Sequence, residues 1–203
     1  MKKFPDTLQN FKRIDYDAKM GTTTATDEVV LIPETFEYNG IKYKTTTLAS
    51  QSFQNCTNLK KVVVPQSVKS TGTYSFDNCT SLIDVTLPDG CGLSAYSFRS
   101  CTSLKNITLP DTVAAIDKYA FANTTSLEKV VLPKSLKTLG AYAFGISGIK
   151  EVVVPAEVEL EWFDETAIVL YDHDITVSIV KDSWTDNHFD ELFDGAFIKK
   201  YIE

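Results

Sequence analysis

The chain has 203 residues, 43% of them hydrophobic and 11% aromatic, which is enough for one substantial folded domain. Its formal charge of −7 repels phosphate backbones and anionic lipid, and no basic stripe offsets that field, which argues against a nucleic-acid partner. No apolar run approaches the roughly 18 residues that span a bilayer, so no membrane insertion is expected.

Residues 1–27 open with two lysines, but Asp6, Gln9, Asn10, Lys12 and Arg13 stand where an export leader would need an apolar stretch. The segment reads as an N-terminal cap ending in a GTTTATD linker. Next comes "VVLIP", closing at Pro33, and then "FEYNGIKY" over 36–43. Asn39-Gly40 flanked by Phe36, Tyr38, Ile41 and Tyr43 is a strong short-range hairpin signal, because a type I′ turn needs two residues tolerant of positive φ. A hairpin here would cover the first rung of a stack; its rival reading is a contact loop.

From there the chain repeats. Phe53, Phe76, Phe98, Phe121 and Phe144 are separated by 23, 22, 23 and 23 residues, and a fixed period of this size marks a stacked-repeat protein. Leu59, Leu82, Leu104, Leu127 and Ile149 follow in a second column. "VVVP", "VTLP", "ITLP", "VVLP" and "VVVP" then end at Pro65, Pro88, Pro110, Pro133 and Pro155. With the segment at Pro33, these make six strand-like stretches. Apolar residues alternate within each, as Ile107 and Leu109 do around Thr108, which is the period of a half-buried strand. Proline lacks an N–H and closes the stretch. A second apolar pair, such as Val113 and Ile116, leads into Tyr-Ala-Phe and covers the other side. A 23-residue unit cannot bury its apolar side alone, so residues 28–155 are expected to stack as a six-rung solenoid with the phenylalanine column as its spine.

After Pro155 the period disappears. Residues 156–203 read as a C-terminal cap of the same domain, with "DITVSIV" as a further strand and "SWTDNHFDELF" as a helix capped by Ser183 or Thr185. Trp162, Phe163, Trp184 and Phe189 would seal the last rung; an acidic docking surface is the alternative.

The unit L-x-x-I-x-L-P-x-x-V-x-x-I-x-x-x-A-F, running from Leu104 to Phe121 with Cys101 before it, resembles the BspA-type leucine-rich repeats over residues 28–155. The resemblance implies a leucine-rich-repeat solenoid, mostly β within the α/β superclass. It carries a parallel sheet on one face and short turns or 3-10 or helical segments on the other. It also implies a surface or secreted protein that binds another protein or an extracellular macromolecule. Two departures stand out. Thr124 and Ser147 replace cysteine, and the loop at Cys91-Gly92-Leu93 is one residue short, which predicts a tighter turn.

Candidate chemistry is thin. Cys56, Cys79 and Cys101 share one column, but equivalent side chains on parallel rungs point the same way, which keeps their Cβ atoms too far apart for a disulfide. The continuation of the column as Thr124 and Ser147 favours packing. Cys91 reads as a free turn thiol, and no C-x-x-C spacing suggests a metal. Asp172, His173 and Asp174 could hold a cation but read as a solvated turn. His188 has no histidine partner one turn on. No nucleophile elbow or phosphate-cradling loop occurs, so no catalytic residue and no cofactor is assigned and the chain is read as a non-enzyme. Tyr74, Tyr96, Tyr119 and Tyr142 form a column that either covers the wall or offers an aromatic stripe.

The face most suited to binding is the outward side of the strands. One outward column is Lys61, Asp84, Asn106, Lys129 and Glu151; the next is Val63, Thr86, Thr108, Val131 and Val153. The charges form either a ligand surface or pairs across the ladder. Two functions fit: a recognition module using this face, or a structural spacer that displays another domain.

Overall fold

A computed structural model describes residues 28–38, 40–159, 162–163, 167, 175–192 and 197–202. The expected N-terminal cap over 1–27, Asn39, and the Asp172-His173-Asp174 turn lie outside the described residues. In chain order the strands are β1 (Val29–Leu31), β2 (Thr35–Tyr38), β3 (Ile41–Lys44), β4 (Lys61–Val63), β5 (Asp84–Thr86) and β6 (Ala115–Ile116). They continue as β7 (Lys129–Val131), β8 (Thr138–Leu139), β9 (Glu151–Val154), β10 (Trp162–Phe163), β11 (Ile175–Val180) and β12 (Phe197–Ile202). Two one-turn helices, α1 (Trp184–Asn187) and α2 (Phe189–Leu192), stand between the last two strands.

The chain winds as a parallel β-solenoid of about five turns. Its first wall carries the strands before each proline. Val30, Val62 and Val85 align across β1, β4 and β5, and Val130, Val152 and Val177 align across β7, β9 and β11, all pointing into the core. From Pro65 onward each of these proline carbonyls accepts the amide three residues on, for example Val113 to Pro110 at 3.0 Å and Leu136 to Pro133 at 3.0 Å. That turn carries the chain to the second wall, where β6, β8 and β10 form a short parallel sheet.

The phenylalanines stack as the sequence requires. Phe53, Phe76, Phe98, Phe121 and Phe144 lie 5.0, 5.1, 5.4 and 5.3 Å apart, with ring planes within 9° of parallel. The first four also donate their amides to the carbonyl just before the next phenylalanine, for example Phe76 to Ser97 at 2.8 Å, Phe98 to Ala120 at 2.8 Å and Phe121 to Ala143 at 2.7 Å, while Phe144 donates to Ala167 at 2.9 Å. The spine is therefore a hydrogen-bond ladder and an apolar column together. The tight turn around it places two residues per rung in left-handed backbone. Tyr74, Tyr96, Tyr119 and Tyr142 take φ between 52° and 60°, and Asn55, Asn78, Ser100, Asn123 and Ile146 follow at 55° to 65°. Asparagine tolerates this region well; β-branched Ile146 does not and is strained there.

Ser52, Ser75 and Ser97 occupy the position before the phenylalanine, buried with no partner for their hydroxyls, while Ala120 and Ala143 fill the same column in later rungs. An unpaired buried hydroxyl is costly, so Ser75→Ala and Ser97→Ala should each stabilise the fold by about 1 kcal/mol in thermal melts. A fall in melting temperature would instead mean that ordered water fills the column.

One expected strand is missing. The alternation in 105–109 predicts that Asn106, Ile107 and Thr108 join the first wall's ladder, but the amides of this segment make no backbone hydrogen bond to either neighbour. The first wall is consequently two sheets, β1-β4-β5 and β7-β9-β11-β12. Two features favour the break. Asparagine is a poor strand former, and the charges on either side pair off as Lys61 with Asp84 and Lys129 with Glu151, with Asn106 between the two pairs. Ile107 still packs against the core and Leu109 is buried, so the interior stays continuous behind the gap.

At the N-terminal end, β2 and β3 pair antiparallel with Tyr38 opposite Ile41, which is the register of a two-residue hairpin loop, and Gly40 adopts φ 72°. At the other end Ser183 caps α1 by accepting the Asp186 amide at 3.2 Å. Phe189 is buried, and Trp184 is half-buried and stacks on His188 at 4.3 Å. The side chains of Trp162 and Phe163 lie outside the described residues.

Candidate recognition surfaces

The two outward columns predicted from alternation face solvent on β4, β5, β7 and β9. Lys61 and Asp84 are ion-paired at 2.5 Å, and Lys129 and Glu151 at 2.8 Å. Glu151 is held below the usual carboxylate range, first by its hydrogen bond with Lys129 and then by the Ser178 hydroxyl. A neighbouring column behaves alike, with Lys60 to Glu28 and Lys150 to Glu128 both at 2.8 Å. The charges therefore satisfy one another along the ladder.

The apolar column does not. Leu31 is 68% exposed and Val131 48%, with Val63 and Val153 half-buried in the same column as Thr86. Val29 on β1 is 54% exposed beside them. Asn106 is exposed and Thr108 lies beside it, but both sit at the gap rather than on a paired strand.

A second feature escaped the sequence reading. On the other wall an open trough of about 540 Å³ is lined by Ser70, Gly92, Ser94, Ala115, Asp117 and Thr138, floored by Leu93 and Ile116. Small residues at equivalent places in successive rungs were the available signal. Gly140 at its end is forced by packing, because a Cβ there would stand 2.4 Å from the Lys118 backbone nitrogen.

Beside the trough the tyrosine column stacks at 4.4, 4.9 and 5.1 Å. Arg99 lies over the rings of Tyr74 and Tyr96, at 5.3 and 5.2 Å, and grips Asp77 through Nε at 2.8 Å and Nη2 at 3.0 Å. Gln54 donates a third hydrogen bond to the Asp77 carboxylate at 2.9 Å. The Asp77 side chain is only 3% exposed against 39% for Arg99, so removing the arginine strands a buried carboxylate. Arg99→Ala should cost about 2 kcal/mol, below the value for a fully buried pair because solvent screens the guanidinium. The double variant with Asp77→Ala should recover part of that loss in urea unfolding, since Ala122 already fits the same column.

All four cysteines are free thiols. Cys79 donates to the Phe53 carbonyl at 3.1 Å and Cys101 to the Phe76 carbonyl at 3.2 Å, each reaching back one rung. Thr124 donates instead to Phe121 of its own rung at 2.7 Å. Burial pushes the Cys79 and Cys101 thiols far up, and pushes Cys91 up to about 11. Among the described residues no three His, Cys, Asp or Glu side chains gather as a metal site, and no helix is long and apolar enough to cross a membrane.

Solved structures share this architecture. A T. pallidum leucine-rich repeat protein matches with TM-score 0.58 and 23% identity, over 87% of this chain and 88% of that one. A leucine-rich cell surface protein from Faecalibacterium prausnitzii matches with TM-score 0.57 and 21% identity, over 81% of this chain and 50% of that one. The pneumococcal vaccine antigen PcpA matches with TM-score 0.59 and 13% identity, over 84% and 48%. The chain spans 58% of the length of a leucine-rich repeat protein from Bacteroides ovatus. At these identities the likeness concerns the fold. No match was found among curated protein sequences. The sequence profile of the BspA type leucine rich repeat region matches residues 35–150 and 92–167, with six copies, and with the stacked phenylalanine and cysteine columns this places the chain in the BspA-type leucine-rich repeat family.

Proposed function

We propose that the protein is a non-enzymatic recognition module at a cell surface or in a secreted state, and that it holds another protein or an extracellular macromolecule on the outward side of its first wall. The contact surface comprises Val63, Thr86, Thr108, Val131 and Val153, flanked by Lys61, Asp84, Asn106, Lys129 and Glu151, and extends to the exposed Leu31, which lies in register with Val63 on β1. The observation that carries this reading is the apolar column: Leu31 and Val131 remain exposed although the charges beside them are already paired. Exposed apolar patches are a common mark of interaction sites; here Leu31 with Val63 forms one and Val131 with Val153 another, with Thr86 and Thr108 between them, and the pre-paired charges flanking them need no large rearrangement when a partner docks. The surface or antigen character of two structural relatives supports the location.

The test compares binding of the purified protein to extracellular matrix and to co-resident cells before and after Leu31→Asp and Val131→Asp. Recognition predicts at least a tenfold loss of retention, about 1.4 kcal/mol, with an unchanged melting temperature. Equal retention by both forms would favour the spacer, whose outward columns tolerate substitution.

A further inference from the structure

Tyr74, Tyr96, Tyr119 and Tyr142 play no part in that recognition surface, yet they form an unbroken stack. Neighbouring rings are within 14° of parallel and no more than 5.1 Å apart between centroids. All four are half-exposed, and their left-handed backbone is fixed by the turn that also holds the phenylalanine spine. The amides knit the same way, Tyr96 donating to Lys118 at 3.1 Å and Tyr119 to Ala141 at 2.9 Å. Near-parallel phenol rings held in one column keep neighbouring rings side by side, and phenoxyl radicals so placed couple through carbons ortho to oxygen. Holding them there replaces a bimolecular encounter with an intramolecular one.

The stack is not uniform. The Arg99 guanidinium covers Tyr74 and Tyr96, and a cation over a ring opposes withdrawal of an electron from it. In the same column the following rungs carry Ala122 and Gly145, so no charge in that column stands over Tyr119 or Tyr142. Electron loss anywhere in the stack is therefore expected to settle at this end.

We propose that Tyr119 and Tyr142 are an oxidative modification site at which a dityrosine cross-link forms, with hydrogen peroxide as oxidant and a haem peroxidase to activate it. Each phenol gives up one electron and its hydroxyl proton. The two radicals join through one carbon ortho to each oxygen, and the hydrogen on each joined carbon returns to its oxygen as the rings become aromatic again. Peroxide takes up the two electrons and two protons and leaves as two waters. The product ties consecutive rungs covalently, closing a 23-residue loop, and so limits the unfolded chain as a disulfide would.

The experiment exposes the full chain, at low protein concentration, to a haem peroxidase and hydrogen peroxide. The expected product is monomeric on a denaturing gel, fluoresces as dityrosine, weighs two hydrogen atoms less than the starting protein, and yields a cross-linked peptide pair containing Tyr119 and Tyr142. Tyr119→Phe and Tyr142→Phe preserve ring stacking and should each abolish the monomeric fluorescent product with no change in melting temperature. Tyr43→Phe and Tyr201→Phe, outside the stack, should leave its yield unchanged. Covalent dimers alone, a link mapped to Tyr74, Tyr43 or Tyr201, persistence of the product in Tyr119→Phe, or no dityrosine at all would each overturn the assignment.

Discussion

Phe98→Ala should lower the stability of the protein by about 3 to 5 kcal/mol, the cost of truncating a fully enclosed aromatic side chain. Phe98 has no exposure and is stacked on both faces, by Phe76 at 5.1 Å and Phe121 at 5.4 Å. Its neighbours cannot close the space, because the backbone ladder through their amides fixes the rung spacing. For a chain of this size such a loss lowers the melting temperature by on the order of 10 °C. Calorimetry or thermal circular dichroism checks it, and a melting temperature within a degree or two of the parent would show that the column is not the spine. Phe98→Leu should lose less, since it keeps most of the volume and forfeits the ring contacts.

Alkaline pH should destabilise the protein steeply before its lysines titrate. Burial raises the Cys79, Cys91 and Cys101 thiols above their unfolded value, so the native state keeps protons that the unfolded chain releases. The stabilisation is fully present below the unfolded thiol pKa, about 8.5, and is lost as pH rises beyond it. Each thiol contributes a slope of about 1.4 kcal/mol per pH unit, or about 4 for the three together, until Cys91 itself begins to ionise near pH 11. Urea unfolding from pH 8 to 10.5 measures the slope. Cys79→Thr with Cys101→Thr should remove about two thirds of it, because the hydroxyl can supply a carbonyl hydrogen bond, as Thr124 does, without an ionisable proton in that range. A flat profile in the parent would refute the assignment.

The spine, the inward valines, the hairpin register and the Ser183 cap were legible in the sequence because each arises from a short-range rule: a period, an alternation, a turn dipeptide, a capping residue. The gap at Asn106 was not. Its "NITLP" has the same alternation as its neighbours, and only the pairing of Lys61 with Asp84 and Lys129 with Glu151 shows that the column closes in twos. The trough was missed for a related reason. It depends on how the small residues Gly92, Ser94 and Ala115 stand next to one another across rungs, whereas reading along the chain separates the rungs by more than twenty positions. The charge column illustrates the limit from the other side: one sequence left pairing and ligand contact equally open, and distances decided that the charges pair.

The gap also sets how load passes through the molecule. Between the β5 and β7 strands the chain is joined by buried side chains and by the amide ladder of the second wall, with no strand ladder on the first. A stacked array is only as cooperative as its weakest interface between neighbours. A solenoid tethered at one end and pulled at the other will therefore yield by opening like a book at this joint, with the phenylalanine stack as the binding and the two sheets as its covers.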